Sequence, residues 1–592
     1  MRLLSVCLIG VILIVCGCGQ SSSGKGAPPP DIGISLSAAS IGQYEKLELN
    51  LALTFTDEYT NPFDPDEIDM RGVFTSPTAA EWTVPAFWDG LAWKIRFAAD
   101  ETGEWTCRVE ADTMTENRVS TDQTFTVNPS GLNGWIRVSD DDLHFLEYDS
   151  GESFLGRGHC RPWWLDPEDE SNTFNPVLVQ VNNVNQINWN GMNLDSLCAA
   201  MNAAGMNWLV YWLAPWDNLL VTSDDQHGAG YIGSGCDRYD MNAAVNLDRL
   251  FETAEQYGIH IQLCLWPHDA LRDTMHDWYV NWNSAEWWSL NPFNQINPDA
   301  AAFFTDSGSW AVQAKLYRYM IARWGYSQAL GMWDVAVEID GTMAGANAVT
   351  WVQGMTDYFH ANDPFGHPVT GSRYDGGSSW DAGFAVMDVP QMHYYSNRED
   401  PVAAGDDIAA GIAYLRANFA KPAFYGEFGT DNQVYQPDHL HAGIWASLAA
   451  GSAICALDWN DGGNWGDMTP AMYDHMLILS AFTQDIAFDK LGLQEAALSA
   501  GGLTVLGMGN NTFAFGWIQD PVQSATITGA VLQYSGLSDG NYTVEWWDTW
   551  ILDGGGAPQL TRTDTGVNST GGTFTIGVPD FYRDTAFKIV IE

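Results

Sequence analysis

Two segments decide how the chain is read: Met332-Trp333-Asp334-Val335-Ala336-Val337-Glu338 and Ala423-Phe424-Tyr425-Gly426-Glu427-Phe428-Gly429. Each is a short apolar run of strand length. Strict alternation puts Asp334, Ala336 and Glu338 on one face of the first, and Ala423, Tyr425 and Glu427 on one face of the second. Each strand therefore ends on a glutamate facing the same way as its inner residues. Two carboxyls across a barrel mouth suit glycosidic bond cleavage, one protonating the departing oxygen and the other attacking the anomeric carbon. Their mutual repulsion separates their pKa values and makes the division possible. A solvated strand end, or half of an ion pair, is the competing reading of either glutamate.

Both segments belong to a series. Strand-like runs at 153–159, 206–214, 259–267, 330–338, 368–374, 389–396, 422–428 and 452–460 alternate with helical stretches such as Asn246 to Tyr257 and Trp310 to Trp324. This rhythm over residues 135–490 predicts a (β/α)8 TIM barrel, with function at the C-terminal ends of its strands.

The flanks read differently. Over residues 31–129 apolar residues recur with period two, as in Leu47, Leu49, Leu51, Leu53 and Phe55, in Trp93, Ile95 and Phe97, and in Trp105, Cys107 and Val109. Short strands between turns predict an N-terminal Ig-like β-sandwich. Strand patterns return over residues 495–592, from Leu503–Met508 to Thr585–Ile591, and predict a second sandwich. The expected fold class is multidomain, a central barrel with a sandwich on either side.

Met1-Arg2 followed by the apolar run Leu3–Val15 has the shape of a signal region and is too short to span a bilayer. Val15-Cys16-Gly17-Cys18 resembles a bacterial lipobox, which implies a signal over 1–18 and a lipid on Cys18. Gly19 in place of Asp points to the outer membrane or cell surface. A plain secretory signal is the alternative. Residues 19–30 then form a tether.

The 592 residues carry 25 Lys and Arg against 74 Asp and Glu, a net charge of −49. That argues against nucleic acid as a partner. The 28 Trp exceed what a core needs, and aromatic faces in a cleft stack on sugar rings. Cys107, Cys160, Cys198, Cys236, Cys264 and Cys455 allow 15 pairings, with free buried thiols the default for Cys107, Cys264 and Cys455. There is no CxxC, HExxH or Walker motif, and the acidic loops at 57–69 and 140–142 lack EF-hand spacing. No metal or cofactor is expected, and the chain is expected to be a monomer.

Ala322-Arg323-Trp324-Gly325-Tyr326-Ser327 with Trp333 to Asp340 resembles the fourth-strand region of clan A glycoside hydrolases, nearest to family 5-like bacterial proteins with an N-terminal sandwich of the DUF5060 type. Asp388 to Tyr395, Lys421 to Gly429 and Asp458-Trp459-Asn460 resemble their sixth, seventh and eighth strands. The resemblance implies Glu338 as acid/base, Glu427 as nucleophile, Tyr395 as hydrogen-bond donor to it with His393 nearby, and Trp459 stacking on sugar. Trp212, Trp266, Trp282 and His268 would line the cleft or, equally, pack helices and loops.

Two departures stand out. Val337 occupies the place where the clan has Asn, and strand two lacks the clan's Arg. Arg157 or His159 on strand one is the expected substitute cation. The leading expectation is a retaining hydrolase of a β-linked polysaccharide or oligosaccharide. The alternatives are a catalytically impaired carbohydrate-binding lipoprotein on the same fold, supported by Val337, and an apiosidase-like glycosidase using Asp340.

Overall fold

The structure, a computed structural model, describes residues 31–163, 193–214, 218–221, 235–274, 288–289, 291–374, 380–396, 400–430, 437–460, 468–523 and 525–592. The chain is multidomain. Near the N-terminus, a four-stranded sheet built on Lys46–Leu53 and Trp93–Ala98 faces a larger sheet built on Ile68–Thr75, Gly103–Thr113 and Gln123–Asn128. The period-two pattern explains the contact: Leu47, Leu49, Ile95 and Phe97 meet Phe74, Trp105 and Phe125 in one apolar cluster. Phe74 and Phe97 stack with ring centroids 4.0 Å apart. Tyr326 and Phe365 from the middle region join the same cluster.

In the middle region Gly158–Cys160, Trp208–Trp212, His260–Cys264, Leu330–Asp334 and Val369–Thr370 form one parallel sheet in chain order. Gln391–Ser396 and Phe424–Thr430 form a separate parallel pair. The amides of Asp388 and Val389 donate to the Val369 carbonyl at 2.9 and 3.2 Å and bring this pair beside the fifth strand. Two-period alternation holds over strands two to four. Trp208, Val210, Trp212, Cys264 and Met332 enter an inner cluster, whereas Leu209, Tyr211, Leu263 and Trp333 face the helices. The expected helices span Met241–Tyr257, capped by Asp240, and Ser307–Trp324, capped by Asp306.

Two strand expectations need correction. Within 153–159, Ser153–Phe154 pairs instead with Leu146–Tyr148 in a three-stranded antiparallel sheet, and only Gly158–Cys160 joins the parallel one. A Cβ at Gly158 would stand 1.8 Å from the Trp208 carbonyl oxygen, so only glycine lets the chain enter there. The run 452–460 makes single bridges, Gly156 to Ile454, Cys160 to Trp459 and Phe428 to Asp458. Its amides are divided between two neighbours, Cys455 to the Gly156 carbonyl and Leu457 to that of Tyr425. Among the described residues no single ladder runs right round the eight segments.

The C-terminal region has a six-stranded antiparallel sheet including Phe513–Gln519, Gly540–Trp547 and Asp584–Ile591, with a three-stranded sheet of Leu498–Ser499, Val531–Ser535 and Thr573–Gly577. Leu532, Tyr534, Trp546, Phe574 and Phe587 form the core between them. Cys107, Cys160, Cys198, Cys236, Cys264 and Cys455 are all free thiols, and only Cys236 is not fully buried. Among the described residues no helix is long and apolar enough to cross a membrane.

Candidate active site

The C-terminal ends of strands four, six and seven converge. One oxygen of Glu338, one oxygen of Glu427 and a ring nitrogen of His393 all lie within 4.8 Å of one another, and all three residues are buried. His393 Nδ1 sits 2.9 Å from Glu338 Oε1 and 3.3 Å from Glu427 Oε2. Tyr395 donates its hydroxyl to Glu427 Oε2 at 2.6 Å. Glu427 Oε1 is buried and has no hydrogen-bond partner among the described residues. On the other flank His268 Nε2 lies 3.7 Å from Glu338 Oε2.

Simple alternation does not deliver either glutamate, which corrects the reading of both strands. Ala336 packs in the outer cluster while Val337 packs in the inner one, so the pattern slips after Asp334. Val335 and Val337 donate to different neighbours, the carbonyls of Thr370 and Trp266. Glu338 then turns into the mouth with φ 49° and ψ 58°, a left-handed backbone that costs a non-glycine residue on the order of 1–3 kcal/mol. Its amide donates to Ser372 Oγ at 2.9 Å. On strand seven Ala423 and Tyr425 face outward, and Phe424 faces inward. The pairing runs Met392 to Tyr425 and then His393 to Glu427, so Gly426 is an extra residue that returns Glu427 to the inside.

The electrostatics of the cluster are coupled. Burial pushes the Glu427 carboxyl up, His393 pulls it back and Glu338 pushes it again, leaving it at about 8. Burial opposes charge on both imidazoles. The carboxyls of Asp269, Glu338 and Glu427 nevertheless raise His268 to about 9, and those of Glu427 and Glu338 raise His393. Positive charge on the two imidazoles is thus favoured on either flank of the two carboxyls.

Among the described residues three indoles wall the mouth. Trp212 and Trp459 lie 5.2 Å apart by ring centroids, with Trp163 at 5.7 Å from Trp212 and 5.9 Å from Trp459. Trp212 Nε1 is buried with no acceptor among the described residues. Trp163 is a wall residue that the sequence reading misses. The aromatic Arg161-Pro162-Trp163 run after strand one is its only signal.

Three expected site residues lie elsewhere. Arg157 is at the N-terminal end of strand one, away from the mouth, where Nε donates to the Gly205 carbonyl at 3.0 Å. His159 is buried against Asn460, with Nδ1 2.8 Å from Oδ1, and burial holds it down at about 4. Charge is disfavoured there, and the imidazoles on which charge is favoured beside the glutamates are those of His268 and His393. Trp266 points outward, donating to Tyr317 Oη at 2.8 Å and packing on Phe303 and Phe293, because it lies past the strand end at Cys264 and no longer follows the inward parity of that residue. Trp282 and Cys18 lie outside the described residues. Asp340 accepts from the Tyr374 amide and sits 3.4 Å from Arg373 Nε, in the short 3-10 helix that follows Glu338.

The model for the domain of unknown function DUF5060 matches residues 40–112. The chain carries a DUF5060 domain. No curated protein sequence matches the chain. Among solved structures, a candidate glycoside hydrolase from Bacteroides vulgatus ATCC 8482 is similar at 16% identity and a TM-score of 0.62, covering 94% of this chain and 100% of that one. That likeness is one of fold. A family 39 glycoside hydrolase from Bacteroides cellulosilyticus WH2 is similar at 10% identity and TM-score 0.40, covering 95% and 100%. A family 5 mannosidase from Rhizomucor miehei is similar at 13% and 0.41, covering 61% and 99%.

The DUF5060 segment packs against the helices Met241–Tyr257 and Ser307–Trp324 and, through Asn61, against the Asp237 carbonyl before the first of them. Its Arg96 donates to both oxygens of Asp248 at 2.7 and 3.2 Å, and Arg323 Nη2 closes on the same carboxylate at 2.6 Å. Burial opposes charge on Asp248, and the two guanidinium groups win, holding its pKa far below the usual range.

Proposed function

We propose that the chain is a retaining glycoside hydrolase of β-linked polysaccharide or oligosaccharide, built on a (β/α)8 barrel over residues 135–490 with sandwiches over 31–129 and 495–592. One observation carries the reading. Glu427 has one oxygen held by Tyr395 and the other buried without a hydrogen-bond partner among the described residues, with the Glu338 carboxyl within 4.8 Å. A retaining pair needs about 5–5.5 Å between carboxyl groups, whereas an inverting pair needs about 6.5–9.5 Å for an interposed water.

Glu427 Oε1 attacks the anomeric carbon while Glu338 gives a proton to the leaving oxygen. A covalent glycosyl ester forms on Glu427. Water then attacks that carbon, Glu338 takes the water proton, and the ester bond to Glu427 breaks. The indoles of Trp459, Trp212 and Trp163 exclude water and offer faces to the sugar. Glu427 Oε2 stays fixed by Tyr395, so only one oxygen is presented. The pair holds a proton before substrate arrives because burial and proximity disfavour two charges. That proton belongs to the dyad as a whole and reaches Glu338 when the substrate occupies the Glu427 side.

A second reading, a carbohydrate-binding protein with impaired catalysis, is favoured by Val337. Its side chain packs among Trp212 and Cys264 in the inner cluster, so no amide stands there to hold a sugar 2-hydroxyl. The chain's envelope location through a lipid on Cys18 is part of the proposal.

A panel of plant and algal polysaccharides, with the anomeric form of the first product followed by NMR, tests the reading. Retained configuration supports it, and inverted product overturns the mechanism. Glycan binding without any product favours the second reading.

A further inference from the structure

We infer that Gly426, Gln391 and Asp334 are positioning residues that together set where Glu427 and His393 stand. The inference rests on the proposed hydrolase reading for any change in rate, and on geometry alone for the placement itself.

From Phe424, which faces inward, alternation would send residue 425 out, 426 in and 427 out. The unpaired Gly426 breaks that sequence, because a bulge leaves two successive residues on one face. A Cβ on Gly426 would stand 1.8 Å from Gln391 Oε1 and 3.4 Å from His393 Nε2. The space glycine leaves open is therefore already filled by the Gln391 carboxamide, with the His393 ring beside it.

The carboxamide is itself held. Gln391 Nε2 donates to Asp334 Oδ2 at 3.0 Å, and Gln262 Nε2 donates to the same oxygen at 2.8 Å. Gln262 Nε2 also lies 3.3 Å from Gln391 Oε1. Asp334, Gln262 and Gln391 are all essentially without solvent exposure. A buried carboxyl is costly unless its partners are well placed, and apolar side chains would fill this volume more cheaply. What the polar layer adds is a fixed orientation for the carboxamide, and through it a fixed seat for the bulge. The Asp334 charge also acts on His393, the ring that reaches both glutamates.

A size exchange tests this. Gly426→Ala puts a methyl group into the Gln391 carboxamide. Gly426→Ala with Gln391→Ala returns the room. Crystal structures of both variants report the Tyr395 to Glu427 distance, which does not depend on turnover. We expect the single variant to lengthen that contact by more than about 1 Å and the double variant to restore it. On an active wild-type substrate the single variant should lose at least roughly 100-fold in kcat, with about tenfold or more recovered in the double. A single variant that keeps the contact, or a double variant that leaves it long, overturns the inference. Should Gly426→Ala fail to fold, the isosteric Asp334→Asn decides. NMR of labelled His393 should then show its pKa lowered, and an unchanged titration overturns the inference. If the placement results hold but no glycoside is ever cleaved, the hydrolase reading fails and the positioning layer stands.

Discussion

The Tyr395 hydroxyl stands 2.6 Å from Oε2 of Glu427, and the opposite oxygen of that carboxylate has no hydrogen-bond partner among the described residues. The contact both orients the carboxylate and stabilises its charge. A hydrogen bond to a charged group is worth roughly 1.5–3 kcal/mol. Tyr395→Phe should therefore lower kcat about 10- to 100-fold while leaving the thermal midpoint nearly unchanged. A rate within about twofold of wild type would show that Tyr395 does not serve the nucleophile.

The two glutamates should fail differently. Glu427→Ala removes the attacking oxygen and should be inactive towards every glycoside. Glu338→Ala removes proton donation and should keep glycosylation of dinitrophenyl glycosides, whose leaving group needs no proton. Azide should speed its turnover and yield a β-glycosyl azide from a β-linked substrate. Azide rescue of the Glu427 variant instead would exchange the two roles.

Much of this pairing is legible in the order of the amino acids alone. Glu338 and Glu427 close two apolar runs of strand length, and Tyr395 lies two residues from His393, the spacing that puts both on one strand face. What alternation cannot supply is the residue count inside a bulge. Gly426 within a strand is the available signal, because glycine in a strand interior marks a bulge or a close approach. Read that way, Tyr425 goes outward and Glu427 inward. Arg157 misleads for a related reason. It lies on the right strand but before Gly158, and a sequence run does not say which residue is at the mouth. Trp266 has the inward parity of Cys264 yet packs outward, because the strand ends at Cys264 and alternation does not carry beyond it. The Gln262, Asp334 and Gln391 layer joins residues far apart in sequence, a contact no local pattern encodes.

Activity should decline with alkalinity because the pair must hold one proton. Glu427 is held at about 8, so kcat/KM should fall as pH rises through that value. His268, at about 9, stays cationic through the same change. A flat profile from about pH 7 to 9 would contradict a shared proton.

Stability should show the matching sign. Glu427 ordinarily titrates near 4.5, and folding raises it to about 8. Below about 4.5 both states hold the proton. Between the two values only the folded state does, so stability falls as pH rises across that window. Glu427→Gln removes the dependence. Its gain over wild type should grow from about pH 4.5 to 8 and reach on the order of a few kcal/mol. Equal midpoints at about pH 5 and pH 8 would deny that the carboxyl is strained by burial.

The cluster around Asp248 yields a test apart from chemistry. Asp248→Ala would leave Arg96 and Arg323 buried with side-chain exposures of 6% and 2%. Removing one partner of a buried ion pair costs about 3–5 kcal/mol. Urea unfolding should show a loss of that size. A loss under about 1 kcal/mol would mean the cluster behaves like a surface pair.

That cluster also bears on descent. Arg96 sits in the segment that bears its own family name, where its Nε is 3.0 Å from Glu48, and its second counter-charge, Asp248, sits on a helix well beyond that segment. Asp248 is in turn shared with Arg323, so one carboxylate on that helix holds a guanidinium from each piece. A recombination event that moved the segment onto another protein would leave Arg96 with Glu48 alone and without the carboxylate across the seam, unless the recipient already offered an acid at the matching place. The unit that can be inherited whole is thus wider than the unit that can be named, and its edge is drawn by a counter-charge.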